Sequence, residues 1–261
     1  MENTKNSLQV LQDIIEQLIG PNGCPWDKKQ TPESLADYLI EETHELVSAI
    51  RKKDFKNICE ELGDVSFLLL FIAKLFENQN KFKFSDALEI NKEKMIRRHP
   101  HVFGEVKVNS ESDIISNWEA IKKEEHKSSP GDKGVFASLP DSLPPLIKAY
   151  RIHSKAARNG FTWKTDEEVE QQVEAEWLEL LDATAQNDNE LQKHELGDLI
   201  FSIVELGRRK GIKANEALDL ATMRFLKRFK NMEEMAKKKN KDISELSFDE
   251  QNELWEIAKS M

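Results

Sequence analysis

The sequence has few cysteines, no long hydrophobic run and no excess of basic residues. Its two cysteines, Cys24 and Cys59, are too few for a disulfide framework and lack zinc-ligand spacing, so plain buried thiols are expected. The longest apolar stretch, residues 65–73, is too short to cross a bilayer. A formal net charge of −10 argues against a binder of nucleic acid polymers. These absences, together with an N-terminus unlike a signal peptide, predict a cytoplasmic protein that binds no membrane.

Alternating apolar and polar residues, the pattern of half-buried strands, are also lacking. Helical periodicity is present instead, interrupted by capping residues and by loops with Gly and Pro. The sequence therefore predicts an all-α protein. The first expected helix ends at Gly20-Pro21, the second begins after the cap Thr31, and the last is capped by Ser247. The others are expected from Asp54 to about Asn78, from Ser85 to Arg98, and over residues 114–125, 146–159, 166–186, 189–210 and 214–239.

A stretch rich in Gly, Pro and Ser, "HKSSPGDKGVFASLPDSLPP", separates two helical regions. We read residues 127–145 as a linker between an N-terminal domain, residues 1–126, and a C-terminal domain, residues 146–261. The "HPHVFG" segment that follows the fourth helix is expected to interrupt the helical pattern.

The two regions repeat each other. Four acids of the first half recur in the second half when 134 is added to each number. At an offset of 130, two cations of the first half also recur as arginines. Constant spacing inside helices, with small length differences in loops, indicates a tandem duplication. The acidic pairs are Glu42 and Glu176, Glu45 and Glu179, Glu61 and Glu195, and Asp64 and Asp198; the basic pairs are Lys94 and Arg224, and Arg98 and Arg228.

The repeated acids have the spacing of a metal site. Acids three residues apart share one helix face, and an antiparallel pair of helices would bring two such pairs together. None of the eight acids has a Lys or Arg three or four residues away. Carboxylates crowded without a cation repel each other, and Mg²⁺ or Mn²⁺ would relieve the repulsion. Gly63 and Gly197, beside the acids, are expected to permit close helix approach.

The repeated cations are candidates for phosphate binding, because magnesium usually accompanies phosphate. Arg224 and Arg228 are four residues apart on one helix face, where they can contact a triphosphate together. Lys94 and Arg98 have the same spacing in the first half. Each cluster taken alone is equally compatible with ordinary surface charge. No glycine-rich P-loop is present, which argues against the common ATPase solution.

The motifs "EETHE" and "ELGD", with "GCPWD" and "RRHPHVFG" around them, resemble those of the MazG family of all-α nucleoside triphosphate pyrophosphohydrolases. The resemblance implies tandem MazG-like helical bundles that hydrolyse a nucleoside triphosphate to the monophosphate and pyrophosphate. It also implies that Glu176, Glu179, Glu195 and Asp198 hold Mg²⁺. Arg224 and Arg228 would bind the phosphates, Trp255 would stack near the base or ribose, and Lys122 would reach the nucleotide site. The family habit implies a homodimer.

The second copy departs from the family pattern at Ala175, where the first copy keeps Glu41. The C-terminal copy usually carries the activity in two-domain relatives, so we favour the C-terminal site. Two other functions stay open. A di-metal carboxylate oxidoreductase expects Glu-x-x-His on two helices, and only Glu41 and His44 provide it. A helical scaffold that binds nucleotide without turnover is the other.

Overall fold

The protein is built from α-helices. A computed structural model describes residues 2–128 and 134–261, and within them it contains eleven α-helices, two short 3₁₀ helices and no β-strand. The predicted all-α fold is therefore confirmed. None of the described helices is long and apolar enough to span a membrane.

The chain divides into two compact units, Met1–Ser129 and Pro130–Met261. This division falls inside the segment predicted as a linker, of which residues 129–133 lie outside the described residues. The exact domain bounds, residues 1–126 and 146–261, remain predictions.

The first unit is organised around one long central helix, α3. Thr31 caps α2 through its side-chain oxygen, which accepts a hydrogen bond from the Ser34 N–H at 3.2 Å. Helix α3 packs against α1, α2 and α4, and α6 packs against α4. The helices are α1 (Glu2–Ile19), α2 (Pro32–Lys52), α3 (Phe55–Asn78), α4 (Phe84–Arg98), α5 (Pro100–Phe103) and α6 (Glu111–Ser128). The buried core consists of Ile15, Leu35, Leu68, Leu70 and Phe71.

The second unit repeats the central helical hairpin. Thr165 and Glu168 form a capping box at the start of α8, and Ser247 and Glu250 form another at α11. Helix α9 packs against α7, α8 and α10, while α10 also packs against α7 and α11. The helices are α7 (Pro145–Arg158), α8 (Asp166–Gln186), α9 (Asn189–Arg209), α10 (Ala214–Lys238) and α11 (Phe248–Ser260). A buried cluster between α10 and α11 consists of Met232, Ala236, Leu246, Leu254 and Ala258.

Local details differ from the sequence predictions at two helix ends. The cap of α4 is Lys83 rather than Ser85, because the Asp86 carboxylate accepts the Lys83 backbone N–H at 2.9 Å. Ser85 therefore lies inside the first turn. The "HPHVFG" segment ends α4 as expected, but it then forms the short helix α5 with Pro100 at its first position.

Two expectations about small residues are wrong. Gly63 and Gly197 do not mediate close helix approach within the chain, because a Cβ at either position would meet no heavy atom within 4 Å. Both glycines are exposed, so they leave open space beside the acidic residues. The cysteines are free thiols, but neither is buried: Cys24 is half-buried and Cys59 is exposed.

Candidate functional site

The same turn joins the two helices of each hairpin. Lys53 and Asn187 end α2 and α8 in the left-handed conformation, each with φ of 56°. The next residues, Asp54 and Asp188, cap the following helices through their side-chain oxygens. Because this turn is short and repeated, it fixes the register between the antiparallel helices in both halves.

The hairpins bring the predicted acids together in two carboxylate clusters. In the first cluster, Glu42 and Glu45 of α2 meet Glu61 of α3, with one oxygen of each within 4.8 Å of the others. In the second cluster, oxygens of Glu176, Glu179 and Glu195 lie within the same distance of one another. Asp64 and Asp198 complete the clusters, since their charges act on Glu42 and Glu179 respectively.

Crowding changes the acidity of both clusters. Loss of hydration is the largest influence that raises the pKa of Glu42, followed by the charges of Asp64 and Glu45. The pKa of Glu179 is raised in the same way, by loss of hydration and then by the charges of Glu176 and Glu195. Each cluster therefore carries negative charge that the neighbouring residues do not neutralise.

Buried oxygens in both clusters suit a cation. Glu61 Oε2 is buried and has no hydrogen-bond partner among the described residues. Glu195, the matching residue of the second cluster, is only 8% exposed. A buried carboxylate oxygen without a partner is costly unless a cation or donor meets it. The donor set of carboxylate oxygens on two rigid helices therefore fits Mg²⁺ or Mn²⁺.

A histidine that the sequence analysis did not select belongs to the second cluster. His194 Nδ1 lies 3.3 Å from Glu195 Oε1 and 3.2 Å from Asp198 Oδ2. The signal was visible in the sequence, because the "HELGD" of the second half replaces the "EELGD" of the first. Glu41 and His44, the candidates for a di-metal oxidoreductase, are both exposed and join neither cluster of described residues.

In the second unit, the predicted arginine and tryptophan are neighbours. The Arg228 guanidinium carbon lies 5.8 Å from the centre of the Trp255 ring, and the Phe225 ring lies 5.3 Å from it. Arg224 is exposed one turn earlier on α10. Within the described residues, neither Arg224 nor Arg228 pairs with a carboxylate. Helix α10 packs against α9, which carries Glu195 and Asp198.

Of the matching cations of the first unit, Arg98 is already paired with an acid. Glu125 of α6 accepts hydrogen bonds from Arg98 Nη2 at 2.5 Å and from Arg97 Nε at 2.7 Å. These two arginines lower the pKa of Glu125, Arg98 most strongly. Lys94 is half-buried one turn before Arg98.

Lys122 also lies in the first unit, with Nζ 5.0 Å from the centre of the Trp118 ring. Trp118 and Lys122 are four residues apart, and Trp255 and Lys259 repeat that spacing at an offset of 137. Trp255 and Lys122 were predicted separately as nucleotide contacts, and this repeat was not predicted. Its signal is the pair of similar strings "WEAIKK" and "WEIAKS" on α6 and α11.

Comparisons with known proteins agree on one family. The model of the MazG nucleotide pyrophosphohydrolase domain matches residues 30–103, which contain the first cluster. The nucleoside triphosphate pyrophosphohydrolase/pyrophosphatase MazG of Thermotoga maritima is 40% identical over 249 residues, 95% of this chain and 94% of that protein. The nucleoside triphosphate pyrophosphohydrolase of Escherichia coli K12 is 34% identical over 257 residues, 97% of each chain.

The uncharacterized protein YabN of Bacillus subtilis is longer. It is 39% identical over 255 residues, which make up 97% of this chain but 52% of YabN. The chain therefore spans about half the length of that relative, and nearly the whole length of the Thermotoga and Escherichia proteins.

Proposed function

Because this chain belongs to the MazG family of nucleotide pyrophosphohydrolases, we propose that it hydrolyses nucleoside triphosphates at the α–β bond to the monophosphate and pyrophosphate. The family supports a nucleoside triphosphate as the substrate, since the Thermotoga and Escherichia relatives are named for that activity. The α–β bond is what the resemblance to this family implies, and the contacts of the described residues support the choice of site.

One observation carries the choice of the second unit as the working site. It combines a carboxylate cluster with an arginine that pairs with no acid among the described residues, and a tryptophan beside that arginine. This combination suits phosphoryl chemistry, because catalysis depends on positioning the phosphates and neutralising their charge. In the first unit, by contrast, the matching arginine, Arg98, is already paired with Glu125.

The proposed metal ligands are Glu176, Glu179, Glu195 and Asp198, with Mg²⁺ as the expected ion and Mn²⁺ as an alternative. A divalent cation held there would polarise the α-phosphate and lower the pKa of the attacking water. Glu42, Glu45, Glu61 and Asp64 form a second possible ligand set, whose buried Glu61 oxygen supports ion binding.

The chain's own side chains would hold the nucleotide in place. Arg224 and Arg228 would bind the phosphate oxygens through charge-assisted hydrogen bonds. Trp255 would offer its ring to the base or ribose, held in position by Phe225 and Arg228. Lys122 stays a prediction as a nucleotide contact, and the described contact with Trp118 leaves that role untested.

A homodimer is part of the proposal. Helix α9 exposes an apolar row made of Leu196, Ile200 and Ile203, and Gly197 leaves open space beside it. Exposed apolar area of this extent is typical of an interaction surface. A second copy would cover it, and light scattering at several protein concentrations measures the mass. We also propose a cytoplasmic protein without nucleic acid or membrane partners.

Hydrolysis of ATP in water enriched in ¹⁸O tests the reaction. Attack on the α-phosphorus predicts labelled AMP with unlabelled pyrophosphate, and no ADP at any time. Label in pyrophosphate would place the attack on the β-phosphorus, and ADP with orthophosphate would mean a different bond. Nucleotide binding without any product, even at equimolar enzyme, would favour the scaffold function instead.

A further inference from the structure

His194 makes the second carboxylate cluster chemically different from the first. The two clusters have the same acids at the same spacing, but the residue before Glu195 is histidine, and the residue before Glu61 is Glu60. The described contacts put a ring nitrogen beside Glu195 and Asp198, two acids of the second cluster, whereas the group in the first cluster consists of carboxylates alone.

The position of the ring nitrogen suits a metal ligand. His194 Nδ1 lies 3.3 Å from Glu195 Oε1 and 3.2 Å from Asp198 Oδ2. Neighbouring ligands on one ion with bonds of about 2.0–2.2 Å are separated by about 2.8–3.6 Å, from octahedral to tetrahedral geometry. The nitrogen and the two oxygens therefore have the mutual spacing of ligands that share one ion.

Glu195 is buried and His194 is exposed, so the two residues would have different roles in holding an ion. The Glu195 side chain is 10% exposed, whereas the His194 side chain is 69% exposed. Glu195 is thus fixed by packing, and the histidine lies over it from the solvent side. A neutral imidazole in that position can present the Nδ1 lone pair to an ion held by the carboxylates.

We propose that His194 is a metal ligand of the second cluster, and that it gives this cluster a preference for a divalent transition ion over Mg²⁺. The inference rests on the proposed function, in which the carboxylates hold a divalent cation. Imidazole nitrogen favours first-row transition ions, whereas sites made only of oxygen suit Mg²⁺. The first cluster, which has oxygen ligands only, retains the Mg²⁺ preference.

A metal-binding measurement on the full chain tests the ligand directly. Glu42→Gln with Glu45→Gln disables the first cluster, so the second is measured alone. In that background, the protein with His194 is compared with the His194→Glu variant. Glutamate is the residue at the matching position of the first cluster, Glu60. Calorimetric titrations use Co²⁺ and Mg²⁺ at one pH, and circular dichroism checks the fold.

We expect His194→Glu to weaken Co²⁺ binding by at least ~10-fold. Loss of a residue that only hydrogen-bonds to a metal ligand already lowers metal affinity by about 10-fold or more, and loss of a ligand should cost at least as much. Mg²⁺ affinity should stay the same or rise. Equal changes for both ions, or no change for either, would make the histidine a hydrogen-bond partner of the acids and overturn the proposal. If neither ion binds with or without His194, the metal site of the proposed function fails as well.

A spectroscopic readout separates ligation from indirect effects. Mn²⁺ bound to the same background should show pulsed-EPR modulation from the ¹⁴N of a coordinated imidazole, and His194→Glu should remove it. The matched gain-of-ligand variant is Glu60→His with the second cluster disabled by Glu195→Gln and Asp198→Asn. It should raise the Co²⁺ affinity of the first cluster. Mn²⁺ bound without nitrogen modulation when His194 is present would contradict direct ligation.

Discussion

Arg98 and Glu125 form an ion pair between α4 and α6, in which two guanidinium nitrogens contact Glu125 Oε2 at 2.5 and 3.1 Å. Arg97 binds the other oxygen of the same carboxylate. At the matching position of the second unit, Arg228 lies against Trp255 and pairs with no carboxylate among the described residues. An arginine that is already paired with a carboxylate is less able to bind a phosphate. The second unit is therefore better suited than the first to bind a nucleotide.

The first prediction follows from this difference. Arg228→Ala should lower kcat/KM for ATP by about 10²-fold, which corresponds to loss of a charge-assisted phosphate contact worth ~3 kcal/mol. The matched variant, Arg98→Ala, should have a mild effect because its guanidinium is occupied by Glu125. Steady-state kinetics at equal protein concentration and confirmed dimer content measures both.

A further variant, Glu42→Gln with Glu45→Gln, controls for the first cluster. It should retain activity if the second unit is the working site. Loss of activity in this variant and in Arg98→Ala, with Arg228→Ala unaffected, would assign catalysis to the first unit.

The second prediction concerns the stability of the Arg98–Glu125 pair. Both side chains are 21% exposed, and Arg98 is the main cause of the lowered pKa of Glu125. A carboxylate whose pKa is lower in the folded state stabilises the fold above its unfolded-state pKa, and this contribution disappears as the pH falls through the folded-state value. Glu125→Gln should therefore destabilise the protein by roughly 1–2 kcal/mol at neutral pH.

The difference in unfolding free energy between wild type and Glu125→Gln should shrink as the pH falls below 4.5, the ordinary pKa of a glutamate side chain. Urea unfolding at several pH values measures it. Glu89→Gln removes an exposed ion pair with Lys92 on α4 and serves as a control, expected to have little effect. A destabilisation by Glu125→Gln that is constant from neutral to acidic pH would show that lost packing, and not charge, is responsible.

Sequence was sufficient for the helices because their ends are encoded locally. Asp54 was predicted as a cap, and it caps α3 through its side-chain oxygen, as its repeat Asp188 does for α9. The error at Ser85 arose because several residues there could cap, and Asp86 satisfies the Lys83 N–H instead. Open space around Gly63 could not be read from sequence, since it depends on which helices are neighbours.

The grouping of the acids was also predictable, because helix periodicity and a short turn fix which residues face each other. The partners of the cations were not. Contact between Arg98 and Glu125 depends on how α6 lies against α4, and neither helix carries that information in its periodicity. His194 was not predicted because the candidate ligands were the acids that repeat, and the histidine occupies the one position at which "HELGD" differs from "EELGD".

The third prediction concerns the buried charge of Glu205, whose matching position in the first unit holds an apolar residue. Glu205, 3% exposed, pairs with Arg208 at 2.6 and 2.8 Å, and His153 lies 3.5 Å away. Phe71 and Lys74 are the matching residues of the first unit at the offset of 134. Arg208→Met leaves a buried carboxylate with only the histidine beside it, so destabilisation by about 3–5 kcal/mol is expected.

The double change Glu205→Leu with Arg208→Met removes both charges and should restore most of that stability, since an apolar pair of similar volume replaces the ion pair. Thermal and urea unfolding followed by circular dichroism measure both variants. If the double variant were as unstable as the single one, the contribution of the pair would come from packing of the long side chains and not from charge.

The last prediction combines the stability and the activity of the second carboxylate cluster. Glu179 has a raised pKa because of lost hydration and the charges of Glu176 and Glu195, so its negative charge destabilises the metal-free fold at neutral pH. Glu179→Gln removes that charge and also removes a proposed ligand. The metal-free variant should therefore have a higher Tm than metal-free wild type, and a smaller increase in Tm on addition of Mn²⁺.

An ion at 100 times its Kd stabilises the fold by about 2.7 kcal/mol, so loss of a ligand is visible as a smaller thermal shift. Turnover should be abolished in Glu179→Gln while the helical signal persists. Glu174→Gln, on the same helix but outside the cluster, controls for the loss of a charge and should keep both the Mn²⁺ shift and the activity. Glu179→Gln should raise the Tm of the metal-free protein and reduce the increase in Tm that Mn²⁺ causes. General damage to the fold would instead lower the Tm of the metal-free protein. Activity near that of wild type in Glu179→Gln would remove the second cluster from consideration as the catalytic site.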